Sequence, residues 1–223
     1  DLRGEGSQGR LYNVQAQLNG NQTLFTVKSN DAGTALAFTN IYSRMEGGLL
    51  EANLVQSENG PYLGPVRIQN FTVVNEPKLK SMASSVRQHI PQDRGERSRI
   101  IPDGEDKKVT FLLADAEIER GQGYFTVKDA IVRSATMGIT LNGAVYDSRD
   151  RMNITGTFMP ANAVNLAVSS IPLLGQLFSN GKDNGLIGVT YQLKGPRANP
   201  ELVVNPLSIV TPGVFNKVFE FQQ

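Results

Sequence analysis

Between residues 137 and 160 the chain alternates apolar and polar residues in two successive runs. Met137, Ile139, Leu141 and Val145 alternate with Thr136, Thr140 and Asn142. Met152, Ile154 and Phe158 alternate with Arg151, Asn153, Thr155 and Thr157. Side chains on a strand point to opposite faces in turn, so a period of two with one apolar face spells antiparallel strands, one side covered and one side wet. Asp147-Ser148-Arg149-Asp150 lies between the runs, and such clusters favour turns for local backbone reasons.

The same grammar recurs along the chain. Tyr12, Val14, Ala16 and Leu18 alternate with Asn13, Gln15 and Gln17 ahead of Asn19-Gly20, a dipeptide that tolerates positive φ at a tight turn. Thr23–Ser29 returns, with Phe25 and Val27 on one face. Gly47-Gly48 opens a second pair, roughly Leu49–Gln56 and Pro65–Val74, around Glu58-Asn59-Gly60-Pro61. Val109, Phe111 and Leu113 begin another strand, and Gly121-Gln122-Gly123 turns into Tyr124–Ala130. Gly188–Lys194, with Val189, Tyr191 and Leu193 on one face, and Glu201–Asn205 complete the strands. Phe25-Thr26-Val27-Lys28 recurs as Phe125-Thr126-Val127-Lys128, each on the return strand of a hairpin; a repeated unit and chance recurrence account for it equally well.

Helical signals are short. Asn30 or Asp31 caps a helix to about Tyr42. Asn75-Glu76-Pro77 reads as a cap with an early-turn Pro. Leu79, Met82, Ala83, Val86 and Ile90 then fall on one helical face. Helices are also expected over Ala161–Ser170, Pro172–Phe178 and Thr211–Phe221. Residues 91–108, rich in charge, Pro and Gly, are expected to form a mobile surface loop. The expected fold is mainly β with short helices. A curved antiparallel sheet forms a groove, an open or half-closed barrel, capped by amphipathic helices. It is one domain over residues 1–223, a length able to bury a sizeable core.

Composition excludes several classes of function. Lys+Arg total 22 against 21 Asp+Glu, a net charge of +1, which gives no global field for nucleic acid. Zero cysteines exclude a disulfide framework, a thiolate metal site and a cysteine nucleophile. Gly4-Glu5-Gly6-Ser7-Gln8-Gly9 matches a dinucleotide pattern in letters alone. The pattern needs a helix after it to hold the pyrophosphate, and a strand follows here. His89 is the single histidine and stands near a helix end, where a satisfied surface role suits it. Asp103, Glu105 and Asp106 lack the spacing of a calcium loop. Ser84-Ser85 and Ser169-Ser170 lack a nucleophile-elbow context. No enzyme activity, metal or cofactor is expected. The chain starts at Asp1, not Met, and is expected to be an excised piece or a mature product.

Two apolar features remain. One is Ile171–Phe178, whose Leu173, Leu174, Leu177 and Phe178 stand in a nearly uncharged run. The other is the stripe Val214, Phe215, Val218 and Phe219, opposed by Asn216, Lys217 and Glu220. Such segments plug the end of an open sheet or lie on a membrane surface, and both readings stay open here.

A series of marks runs through the same region: Met159-Pro160, Asn165, Ile171-Pro172-Leu173-Leu174-Gly175, Gly185-Leu186-Ile187-Gly188-Val189-Thr190-Tyr191, Gly195-Pro196, Asn199-Pro200, Asn205-Pro206-Leu207-Ser208 and Pro212-Gly213. In this order and spacing, Met159 to Phe221 resembles the C-terminal region of AsmA-like proteins, the Gram-negative envelope group that includes AsmA, TamB and YhdP. Looser similarity of pattern covers Leu24–Val74 and Val109–Phe158. The chain departs from the group at Ile187, where Phe is frequent. It departs again at Val214-Phe215, where Leu-Arg is frequent, which argues against anionic-lipid contact at that position, although Lys217 is near.

The resemblance implies a periplasmic β-groove belonging to an inner-membrane-anchored protein. Its function would be to hold or conduct phospholipid between the inner and outer membranes in support of envelope integrity. Acyl chains would be the partners, lined by Phe111, Leu113, Met137, Ile139, Leu141, Met152, Ile154 and Phe158, with a membrane surface or other envelope proteins beside them. The second class left open is a scaffold that docks another envelope protein through a sheet edge or the 91–108 loop.

Overall fold

The computed structural model describes residues 2–6, 10–89, 108–135, 137–160, 186–187, 189–205 and 209–210. The strands are β1 (Leu2–Gly6), β2 (Arg10–Asn19), β3 (Gln22–Ser29), β4 (Met45–Ser57), β5 (Tyr62–Val74), β6 (Lys108–Gly121) and β7 (Tyr124–Ser134), followed by β8 (Met137–Tyr146), β9 (Arg151–Pro160), β11 (Val189–Pro196) and β12 (Glu201–Asn205). These eleven form one sheet in which each strand pairs antiparallel with its neighbour in sequence. The short β10 (Leu186–Ile187) and β13 (Ile209–Val210) pair separately. No pairing joins β1 to β12, so the sheet is open among the described residues. The fold is mainly β with two short helices in the described part, α1 (Ala32–Phe38) and α2 (Pro77–His89).

Both helices start where their capping residues dictate. The Asp31 carboxylate accepts from Thr34 N at 3.0 Å and from Thr34 Oγ1 at 2.7 Å, which satisfies an orphan amide of the first turn. Asp31 is itself buried. Asp31→Ala should therefore cost about 1–2 kcal/mol, read as a lower urea midpoint with an unchanged slope. At α2, Pro77 takes the first helical position, where its missing N–H costs nothing, and Lys78 N donates to Glu76 Oε1 at 3.1 Å.

The sheet is rolled around its apolar face. If the sheet were flat, the six steps from β4 to β11 would separate them by about 29 Å. Yet Arg197, in the β11–β12 turn, donates to the carbonyl of Asn40, in the α1–β4 connection, at 2.6 Å. Likewise α2, which leaves the end of β5, packs on β9, β11 and β12. Arg197 is further held by Asp150 at 2.7 Å and by the Tyr146 ring, whose centroid lies 4.9 Å from the guanidinium carbon. The outer face carries cross-strand pairs such as Lys28–Glu51, Arg67–Asp115 and Lys108–Glu46. They are well exposed, so each adds little stability; they keep that face wet.

A line of irregular residues crosses β4, β5 and β6. Gly48 has φ +93° and Asn70 φ +54°, and the β6–β7 register shifts between Phe111 and Leu113. Such bulges re-aim side chains. Here the apolar series in β5 jumps from Ile68 to Phe71, and in β6 from Phe111 to Ala114. Lys108, placed in the loop by the sequence reading, begins β6 and pairs with Val74. The rest of that loop and the expected helices Ala161–Ser170, Pro172–Phe178 and Thr211–Phe221 lie outside the described residues, as do Leu173, Leu174, Leu177, Phe178, Val214, Phe215, Val218 and Phe219.

Candidate functional site

The inner face divides in two along the strands. At the end that bears the helices it is a dry core. Leu50, Ile68, Phe71, Met82, Phe111, Met137, Ile139, Phe158, Val189 and Tyr191 are buried there, and the Phe71 and Phe111 rings stack with centroids 5.3 Å apart. Toward the opposite end, formed by the tight hairpins, a continuous row crosses the sheet in register: Gly64, Ile118, Val127, Gly143, Ile154, Leu193 and Leu202. Ile118, Val127, Leu193 and Leu202 are only half-buried, and Leu141, Val145 and Met152 adjoin them in the same state. Gly64 and Gly143 add no side chain to the row. Gly64 lies against the carbonyl of Asn53, and Gly143 against that of Asn153. The result is a half-open apolar strip beside a closed core.

The eight lining residues expected from sequence fall into three groups. Phe111, Met137, Ile139, Ile154 and Phe158 are at most 6% exposed and are packing residues. Leu141 and Met152 border the half-open strip. Leu113 is a correction. It lies in register with Gln69 and Arg133, next to Ala114, which packs on the core, so Leu113 faces outward. The bulge after Phe111 reverses the alternation that placed both on one side. Sequence reasoning did not single out Ile118 or Leu202. Val27 and Val127 of the repeated tetrapeptide both stand half-buried on the inner face.

Polar groups within the face serve the fold. Tyr191 donates its phenol to the carbonyl of Thr140 at 2.8 Å, and Thr157 N donates to Thr140 Oγ1 at 2.9 Å. Burial pushes the Tyr191 phenol far above the ordinary range. Burial, with the Glu76 carboxylate beside it, does the same to Tyr42, which donates to Glu76 Oε2 at 3.0 Å. Both shifts favour the neutral phenol, the form that donates these hydrogen bonds. Among the described residues no cluster of three or more His, Asp or Glu could hold a metal, and no helix is long and apolar enough to cross a membrane.

No family model, curated protein or solved structure matches the chain.

Proposed function

We propose that this domain is a non-enzymatic, periplasmic module of an AsmA-like protein that holds or conducts phospholipid through its apolar face. The observation that carries the reading is the half-open row from Ile118 to Leu202 on the inner side of a rolled, open sheet. Acyl chains gain about 0.8 kcal/mol for each CH₂ they bury, so a strip several strands wide can retain a tail without any reacting group. The sequence marks from Met159 to Phe221 support the same reading, and they alone suggest the envelope setting.

The test is photo-crosslinking from single positions in phosphatidylethanolamine/phosphatidylglycerol vesicles. A photoreactive residue at Val127 or Leu141 should capture lipid, and one at Leu113, on the outer face, should not. Equal capture at all three, or none at Val127 and Leu141, would leave the strip without a cargo. Capture of a protein from an envelope extract at the outer position alone would support the scaffold reading instead.

A further inference from the structure

Among the strand positions whose side chains are described, the inner face holds one charged residue, Arg120. Counting by twos along β6 from Ala114 through Ala116 and Ile118 brings Arg120 to the inner side, with no register shift against β5 over that stretch. Its cross-strand neighbours are Tyr62 on β5 and Phe125 on β7. Each of these rings meets a second one. Tyr62 lies edge-on to Phe25, with centroids 5.2 Å apart, and Phe125 stacks on Tyr146 at 6.1 Å. Arg120 has neither an ion-pair nor a hydrogen-bond partner among the described residues, and no acidic side chain shares the inner face with it. Glu119, next in sequence, points to the other side, where Tyr124 and Lys128 occupy its oxygens.

A half-buried guanidinium on an apolar face, with no partner among the described residues, is costly to keep unless something anionic meets it. The planar fork of Arg matches phosphate oxygens two at a time, which a lysine cannot do. We propose that Arg120 is the head-group site of the strip: it takes the phosphodiester of a bound lipid at the hairpin end, while the tail runs past Ile118 and Val127. This deepens the lipid-holding reading and rests on it. It adds a fixed orientation for the cargo and a preference for an anionic head.

The experiment uses two single-chain probes of equal tail length below their micelle concentrations, dodecyl phosphate and the uncharged dodecyl maltoside, with inorganic phosphate as a third. The parent should bind dodecyl phosphate more tightly than dodecyl maltoside, roughly ten- to hundredfold if charge-assisted hydrogen bonds form. Arg120→Gln should lose that difference and bind the maltoside as before; Arg120→Lys should keep part of it. Both variants should melt with the parent, since no hydrogen bond or ion pair among the described residues is removed. A preference that survives Arg120→Gln overturns the assignment and leaves the apolar strip standing. Inorganic phosphate binding as tightly as dodecyl phosphate overturns it as a lipid site. If neither amphiphile binds the parent, the lipid-holding reading falls and this one with it.

Discussion

Ile154→Asp should leave no folded domain, whereas Leu141→Asp should fold and lose its affinity for lipid tails. Both residues belong to the same apolar face, one on β9 and one on β8, and their alternation in sequence is equivalent. They differ in depth. Ile154 is 4% exposed, and Leu141 is half-buried beside the strip. A carboxylate at Ile154 must either stay charged in a dry environment or take up a proton, and each course costs several kcal/mol. The loss of the Ile packing adds to that cost. A domain of this kind has about 5–15 kcal/mol in total, so the sum approaches the whole stability. At Leu141 the carboxylate can reach water, so the penalty falls mainly on whatever apolar molecule would lie there. Far-UV circular dichroism and size exclusion separate the two outcomes. Should Leu141→Asp unfold the chain as thoroughly as Ile154→Asp, the strip is closed core in solution and the proposed cargo has no place.

Gly156→Ala should be nearly as damaging, for a reason of space. A Cβ at Gly156 would collide with the carbonyl of Thr140 and approach the Tyr191 hydroxyl to 2.8 Å. The Thr140 carbonyl is the group that accepts the Tyr191 hydrogen bond. Backbone cannot step aside as the tip of a side chain can, so β8 and β9 must part or the bond must break. Overpacking of this kind costs about 3 kcal/mol. Tyr191→Phe removes the same hydrogen bond without the collision, so it should cost less, about 1–3 kcal/mol for the unsatisfied carbonyl. Thermal melts of the two variants side by side give the order. A Gly156→Ala protein that melts with the parent would mean that the strands are not in contact there.

Strand positions and helix starts were open to reading because their causes are local. A period of two needs only a strand's own residues, and Asp31 and Pro77 act on their own first turns. The facing of Leu113 was not, because the irregular residues Gly48, Asn70 and Leu112 come into line only once three strands are paired. Depth was hidden for a similar reason. Ile139 and Leu141 are the same kind of residue at the same parity, and only the distance from α1 and α2 makes one core and the other border. Arg120 lay within reach of simple counting from Ile118, but its charge hides in Glu119-Arg120-Gly121 until the register shows which side each residue takes.

The contact between Arg197 and Asn40 bears on the order in which the domain assembles. Every strand of the large sheet pairs with its neighbour in sequence, and tight turns such as Gly20–Asn21, Gln122–Gly123 and Asp147–Asp150 close short loops at low entropic cost. The roll is different. It joins positions 157 residues apart, and before the intervening strands are zipped that loop is long and its closure unrewarded. The meander should therefore form first as a curved but unfastened ribbon, with the Arg197 contact and the docking of α2 onto β11 and β12 among the last events. Over that interval the inner face, with its row from Gly64 to Leu202, is open to solvent along its whole width. A tail already in place at that stage would be enclosed by the final step and would not have to thread its way in afterwards.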